Sequence, residues 1–405
     1  MRPESAVKLP CVVLGLETQI GLSVVRELGR AGVPVIGVAQ QANAIGLRSR
    51  YLTQGITVEQ PRSPALIAAL QQIGREHGAC PLLAVSEVNL LWLSANQQAL
   101  QPLVVVVPPP AALAAVLDKH ATLVAASQMG INIPSTWQPL SQSDIEAHAA
   151  VFPFPAVLKW SDPNAVLLQL EAAGLPLLKA EYVDNPAELS AALQRYAPLG
   201  AWPLVQQYCA GHGLGQFFYM KDGKAVRRFQ HRRVCEWPPE GGFSSVCDAV
   251  PLSEHRELQE RSIALLQHIG WSGVAMVEYR HDPATGASRL MEINGRFWGS
   301  FPLAMHCGAA FALLCYLDAT GAPMDDLPEL KQHLRCRMLS TEVKRLVRIL
   351  LKPELIADKH FQRRPWHEVW RFVADFANLR ARYYVASFSD PMPWVADIQN
   401  LVRRS

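Results

Sequence analysis

Leu290-Met-Glu-Ile-Asn-Gly-Arg-Phe-Trp-Gly-Ser300 sets Glu292, Asn294 and Arg296 two residues apart behind an apolar lead-in. Residues two apart on a strand project to one face, so this spacing predicts a carboxylate, an amide and a guanidinium in one site. Glu278 lies on a second apolar run, Gly273-Val-Ala-Met-Val-Glu-Tyr279. Between the runs stands Arg280-His-Asp-Pro-Ala-Thr-Gly-Ala-Ser288, whose Pro, Gly and Asp favour a turn. A hairpin would bring Glu278 beside Glu292 and Asn294. Two carboxylates and an amide oxygen make a hard ligand set that suits Mg²⁺ or Mn²⁺. Such ions are commonly held by one or two carboxylates together with substrate phosphates. Arg296 on the same face is placed to steady a transferring phosphoryl group or the anion that receives it.

These residues resemble the metal-binding hairpin of the ATP-grasp superfamily, which includes D-alanine–D-alanine ligase, biotin carboxylase and the large chain of carbamoyl phosphate synthetase. The resemblance runs from about residue 10 to 325. Leu117-Asp-Lys119, before a helical stretch ending at Gly130, is similar to the family's entry to its nucleotide domain. Phe154-Pro-Ala-Val-Leu-Lys159 resembles the strand whose terminal lysine meets ATP phosphates. Pro203-Leu-Val-Gln-Gln-Tyr208 resembles the hinge that frames adenine, mainly through backbone groups. Two departures stand out. Trp160-Ser-Asp-Pro-Asn164 follows Lys159 where the family usually has a glycine-rich loop. Gln207 stands where the hinge usually has Glu, and Gly211-His-Gly-Leu-Gly215 offers no acid for the ribose.

Composition sets the outer limits. At 405 residues the chain can hold two or three domains. Half its residues are apolar and 18% are charged, which fits an ordinary globular protein without disordered stretches. A net charge of +3 calls for no nucleic acid. The most apolar run, Leu103–Val107, breaks at three prolines, so no membrane span is expected. Eight cysteines without a Cys-x-x-Cys pair argue against zinc or dithiol chemistry, and the expectation is a reduced, cytoplasmic protein.

Cys11–Gly15, Gln19–Ala31 and Val33–Ala39 carry a strand–helix–strand rhythm. The turn Gly15-Leu-Glu-Thr-Gln-Ile-Gly21 lacks dinucleotide-binding spacing, and the second strand ends in Gln40-Gln41 rather than an acid. Residues 1–110 therefore read as a parallel α/β preceding domain. Residues 111–205 read as the small ATP-grasp subdomain. Residues 206–330 read as the large one, mostly strands, closed by a single helix over 301–325. Residues 331–405 form a basic helical tail, with 15 Lys and Arg against 7 Asp and Glu. Its Trp366, Trp370, Phe372 and Phe376 are expected to dock it on the rest. The fold class is thus α/β and α+β: an ATP-grasp fold with a parallel α/β preceding domain and a helical C-terminal tail.

The resemblance implies ATP and Mg²⁺ or Mn²⁺ as cofactors. It assigns Glu278, Glu292 and Asn294 to the metal. It assigns Lys119, Lys159 and Lys179, with Gln206, Gln207 and Tyr208, to the nucleotide. Arg296, with Arg232 or Arg233 from Phe229-Gln-His-Arg-Arg233, would steady the reacting anion. Gly241-Gly-Phe-Ser-Ser245 is a candidate flap. The implied reaction is phosphorylation of a small carboxylate to an acyl phosphate, followed by attack of an amine. Partners would be those small molecules, and homo-oligomer formation is left open. The alternatives are a nucleotide-binding regulatory or scaffold protein with weak turnover, motivated by the missing glycine loop, and carboxylation through carboxyphosphate.

Overall fold

The computed structural model describes residues 8–160, 163–178 and 180–404. Three sheets organise it. The first is parallel, with strands β1 (Cys11–Leu14), β2 (Val35–Ala39), β3 (Gln54–Thr57), β4 (Pro81–Ala84) and β5 (Val104–Val105) in the order β3-β2-β1-β4-β5. Its central strands are uninterrupted apolar runs because both faces are covered. The Gln19–Arg30 helix covers one face with Leu22, Val25 and Leu28.

The second sheet is small and antiparallel: β6 (Thr136–Trp137), β7 (Ala156–Lys159), β8 (Glu181–Val183) and β9 (Leu204–Gln207), ordered β6-β9-β7-β8. The apolar run near 175–182 yields only β8, and residues 175–178 carry no regular structure.

The third sheet has seven strands: β10 (His212–Lys221), β11 (Lys224–Trp237), β12 (Phe243–Ala249), β13 (Gly273–His281), β14 (Ser288–Asn294), β15 (Arg335–Arg337) and β16 (Ala381–Tyr383). Their order is β14-β13-β10-β11-β12-β15-β16. Alternation along β10 divides its side chains. Leu214, Phe218 and Met220 pack with Ile263 and Leu266 of the Arg256–Ile269 helix, while Phe217 and Tyr219 join the opposite core. That helix interrupts a stretch that reads mostly as strands. The single helix expected over 301–325 is two, Phe301–His306 and Phe311–Thr320, parted at Gly308 and Ala310, both with positive φ. Glu27 of the first layer caps the second of these, accepting from Ala312 N at 2.6 Å and Leu313 N at 3.0 Å.

The C-terminal region is helical, with helices Leu339–Leu351, Pro365–Ala374 and Met392–Arg404, but it also adds β15 and β16 to the large sheet. Its attachment differs from the aromatic docking read from sequence. Trp366 and Trp370 are 84% and 71% exposed. Ion pairs and Tyr384 fasten the region instead. Arg335 bonds Asp248 at 2.7 Å, and buried Tyr384 donates to Ser244 O at 3.1 Å. Asp390 is the pin to the first layer. It accepts from Arg26 Nε at 2.9 Å, Ser49 Oγ at 2.7 Å and Arg50 N at 2.9 Å. All eight cysteines are buried and free. No helix among the described residues is long and apolar enough to cross a membrane.

Both members of the Arg26–Asp390 pair are buried, with side chains 1% exposed. Asp390→Ala leaves a guanidinium desolvated without its anion and should cost about 3–5 kcal/mol. Urea denaturation checks this, and a loss under about 1 kcal/mol would mean that the tail is held elsewhere.

Candidate active site

The hairpin of β13 and β14 forms as the spacing predicts. Glu278 pairs with Glu292 and Met276 with Asn294, and the turn closes on Asp282, whose N donates to Ala287 O at 2.8 Å. Two carboxylates therefore face each other directly across a strand pair. Each meets a cation. Arg233 Nη2 donates to Glu278 Oε2 at 2.5 Å, and Lys119 Nζ lies 3.1 Å from Glu292 Oε2. Asn294 Nδ2 donates to Glu292 Oε1 at 3.0 Å.

Each cation arrives for a local reason. Asp118 accepts from Ala121 N at 2.9 Å and caps the Lys119–Gln128 helix, which fixes Lys119 in its first turn. A lysine at a helix N-terminus opposes the macrodipole, so Glu292 is its compensation. Arg233 crosses β10 because β10 has no side chains there. A Cβ on Gly213 would stand 2.5 Å from Arg233 Cδ, and one on Gly215 would stand 2.7 Å from His231 Nε2. Arg233 also donates to Glu236 Oε1 at 3.0 Å and to Gly242 O at 2.8 Å. Arg280 holds the other oxygen of Glu236 at 3.1 Å.

The electrostatics separate the two hairpin acids. Burial pushes the Glu278 carboxyl up, Arg233 opposes, and the nearby Glu292 charge adds to the rise. Burial pushes Glu292 up too, but Lys119, Asn294 and Lys159 outweigh it and hold it below the usual carboxylate range. At the end of β7, burial pulls the Lys159 ammonium down, Glu292 opposes, and Lys119 adds to the fall. Lys159 therefore sits within electrostatic reach of the hairpin, at the end of a small-sheet strand.

The remaining predicted residues divide. Gln206 is buried and donates to Thr136 Oγ1 at 3.1 Å, so its side chain serves the small sheet. Tyr208 donates to Asp358 Oδ2 at 3.2 Å, with His360 beside its ring. Gln207 ends β9 with its N donating to Ser135 O at 2.8 Å. Lys179 lies outside the described residues. Arg232 is on the opposite face of β11 from Arg233 and pairs with Asp248 at 3.3 Å, half-exposed. Beyond the end of β14 at Asn294, the Arg296 guanidinium donates to Phe297 O at 2.9 Å, and Arg296 lines a cavity of about 270 Å³ with Val274, Tyr219 and Asp318. Of the flap candidate Gly241–Ser245, Phe243, Ser244 and Ser245 belong to β12, the two serines buried, and only Gly241 and Gly242 lie outside it.

Sequence reasoning placed no weight on Glu236 or Arg280, nor on Gly213 and Gly215. Glu236 is three residues from Arg233, a spacing that reads as the opposite face. Register shifts on either side of Cys235 restore it to the same face. The signal for the glycines was visible: alternate glycines in a strand mark a close approach. Among the described residues no group of three or more His, Cys, Asp or Glu forms a metal cage. Two carboxylates and an amide still fit Mg²⁺ that arrives with phosphates.

If Gly213 makes room for Arg233, Gly213→Ala should destabilise by about 1–3 kcal/mol through overpacking. In an Arg233→Ala background most of that cost should vanish. An unchanged cost in the double variant, measured by urea denaturation, would sever the two residues.

No protein-family model matches the sequence, and no curated protein matches it. Solved structures do match the fold. A biotin carboxylase from Campylobacter jejuni, solved as a complex with an ATP compound, aligns with a TM-score of 0.61 at 14% identity, over 81% of this chain and 75% of that one. N5-carboxyaminoimidazole synthetase from Staphylococcus aureus gives 0.59 at 13%, over 82% of each. L-amino acid ligase from Bacillus licheniformis gives 0.54 at 16%, over 78% and 75%. With its parallel first layer, small antiparallel sheet and large hairpin-bearing sheet, the chain has the ATP-grasp fold that its sequence resembles.

Proposed function

We propose that this protein is an ATP- and Mg²⁺-dependent ligase that activates a small carboxylate as an acyl phosphate for attack by an amine. One observation carries the reading: Lys119 and Arg233 pair with Glu292 and Glu278 from two separate elements, and Lys159 of a third lies within the field of both acids. With Glu236 and Arg280 included, four cations stand against three carboxylates. That small positive excess suits a polyphosphate that brings its own metal better than it suits a bare metal ion.

Glu278, Glu292 and Asn294 are the residues that would hold the metal. Bound there, it would supply charge neutralisation for phosphoryl transfer. Lys119 is the mobile partner, because its side chain is 46% exposed and its ion pair with Glu292 is open to exchange. On nucleotide binding it would pass from Glu292 to a phosphate. Lys159, with its charge disfavoured by burial, gains most from an anionic ligand. Arg233 is held by Glu236 and Gly242 O, so it presents a fixed guanidinium and positions Glu278. Carboxylate oxygen is a poor leaving group, and phosphorylation makes it a good one. The work of the site is therefore positioning and electrostatics.

A second reading, a nucleotide-binding regulatory protein with weak turnover, draws on one feature. A helix, Pro163–Ala172, begins four residues after Lys159, where a phosphate-covering loop would lie in a ligase of this fold.

The separating experiment is ADP and phosphate release with pooled small carboxylates and amines. The ligase releases both only when carboxylate and amine are present together. A regulatory protein binds ATP and releases neither, and dependence on bicarbonate alone would indicate carboxylation. Glu292→Gln should lower turnover by on the order of 10²-fold or more with the melting temperature little changed. Near-normal turnover would remove the metal assignment. Lys159→Ala should weaken ATP binding clearly more than adenosine binding, measured by calorimetry. Equal weakening of both ligands would point to a folding defect.

A further inference from the structure

Helices on a globular protein normally turn their apolar stripe inward. In the C-terminal region two helices do the reverse. The Leu339–Leu351 helix buries Glu342 and Arg345 beside Ile349 and exposes Val343, Val347 and Leu350. The Pro365–Ala374 helix buries Glu368 and exposes Trp366, Trp370 and Val373, spaced one helical turn apart. Their inner contacts are ionic: Arg337 with Glu342 at 2.9 Å and Arg345 with Glu368 at 2.5 Å. Buried ion pairs are poor substitutes for apolar packing, so the outward apolar stripes are not a by-product of a good core. The Met392–Arg404 helix continues the pattern with Trp394, Ile398 and Val402. Between it and the first helix runs an apolar groove of about 490 Å³ that also carries Val343 and Lys344.

Charge identifies the occupant. Five of the seven acids beyond residue 330 are buried: Glu342, Asp358, Glu368, Asp375 and Asp390. Arg337 and Arg345 are buried with their acids, but Lys344, Lys352, Arg363, Arg364, Arg380 and Arg403 are exposed. Exposed tryptophan and aliphatic side chains on the same helices and connecting segments as exposed lysine and arginine complement a surface that is anionic outside and apolar beneath. We propose that the helices Leu339–Leu351, Pro365–Ala374 and Met392–Arg404 dock this protein peripherally on an anionic lipid bilayer, with Trp366 and Trp370 inserted at the headgroup level. Because no helix of the described residues can span a bilayer, the association is interfacial and reversible. It does not rest on the ligase reading.

The test is co-sedimentation of the full chain with vesicles of phosphatidylglycerol and phosphatidylcholine, and with vesicles of phosphatidylcholine alone. Binding is expected only to the anionic vesicles, with release by about 0.5 M NaCl and a blue shift of tryptophan emission on binding. Trp366→Ser with Trp370→Ser should weaken binding at least about tenfold, and so should Lys344→Glu with Lys352→Glu. Both double variants alter exposed side chains, and unchanged melting temperatures show that they fold. Wild-type protein that stays in the supernatant with anionic vesicles overturns the proposal. So does a tryptophan double variant that binds like the parent. A lipid-free dimer, seen by sedimentation velocity and dissociated by that same variant, would make the face an interface between two copies and would also overturn it.

Discussion

Glu278 and Glu292 stand in register across a hairpin, half sunk in protein, and like charges directly opposite each other are the least favourable cross-strand pair. Neither can be relieved by its own hairpin. Compensation comes from β11 through Arg233, from the Lys119–Gln128 helix through Lys119, and from the end of β7 through the field of Lys159. Those three elements belong to different parts of the chain. Much of the arrangement of the large sheet, the small sheet and the helix between them can be read as what brings cations to one pair of acids.

The same demand explains local oddities. A lysine opens a helix where its charge opposes the dipole, and the helix tolerates it because Asp118 caps the turn and Glu292 answers the charge. Two glycines sit in the middle of a sheet, where glycine is a poor strand former. Gly213 opens the lane through which Arg233 reaches Glu278, and Gly215 makes room for His231. The two irregularities around Cys235 turn Glu236 back towards Arg233 and thereby anchor the arginine that anchors Glu278.

How far the sequence could be read follows from these particulars. The hairpin was legible because strand periodicity is two and the turn residues were unambiguous. The parallel layer was legible at its buried strands, which are continuous apolar runs, but not at β3, whose Gln54–Thr57 is largely exposed. For Arg296 the period-two argument runs one step past Asn294, where β14 ends, so strand periodicity alone could not say which groups its side chain meets. Glu236 was invisible to the same argument because a bulge changes parity. Arg232 and Arg233 could not be separated without knowing which of them pairs opposite β10's glycines. The tail's aromatics were read as docking residues because apolar periodicity says that a helix has an apolar face, not which way that face points.

That last case has a consequence for the whole molecule. The tail is joined to the first layer by Asp390 and to the large sheet by β15, β16 and Tyr384. It also reaches the small-sheet side of the chain, where His360 meets Asp184 at 2.8 Å, Lys359 meets Glu188 at 2.9 Å, and Asp358 accepts from Tyr208. The His360–Asp184 and Lys359–Glu188 pairs are largely exposed and contribute little each, whereas Asp358 is buried, as are Arg26 and Asp390. If a nucleotide binds between Lys159 and the hairpin, as proposed, the two exposed pairs are the contacts that would cost least to rearrange around it, while the Tyr208–Asp358 bond would resist.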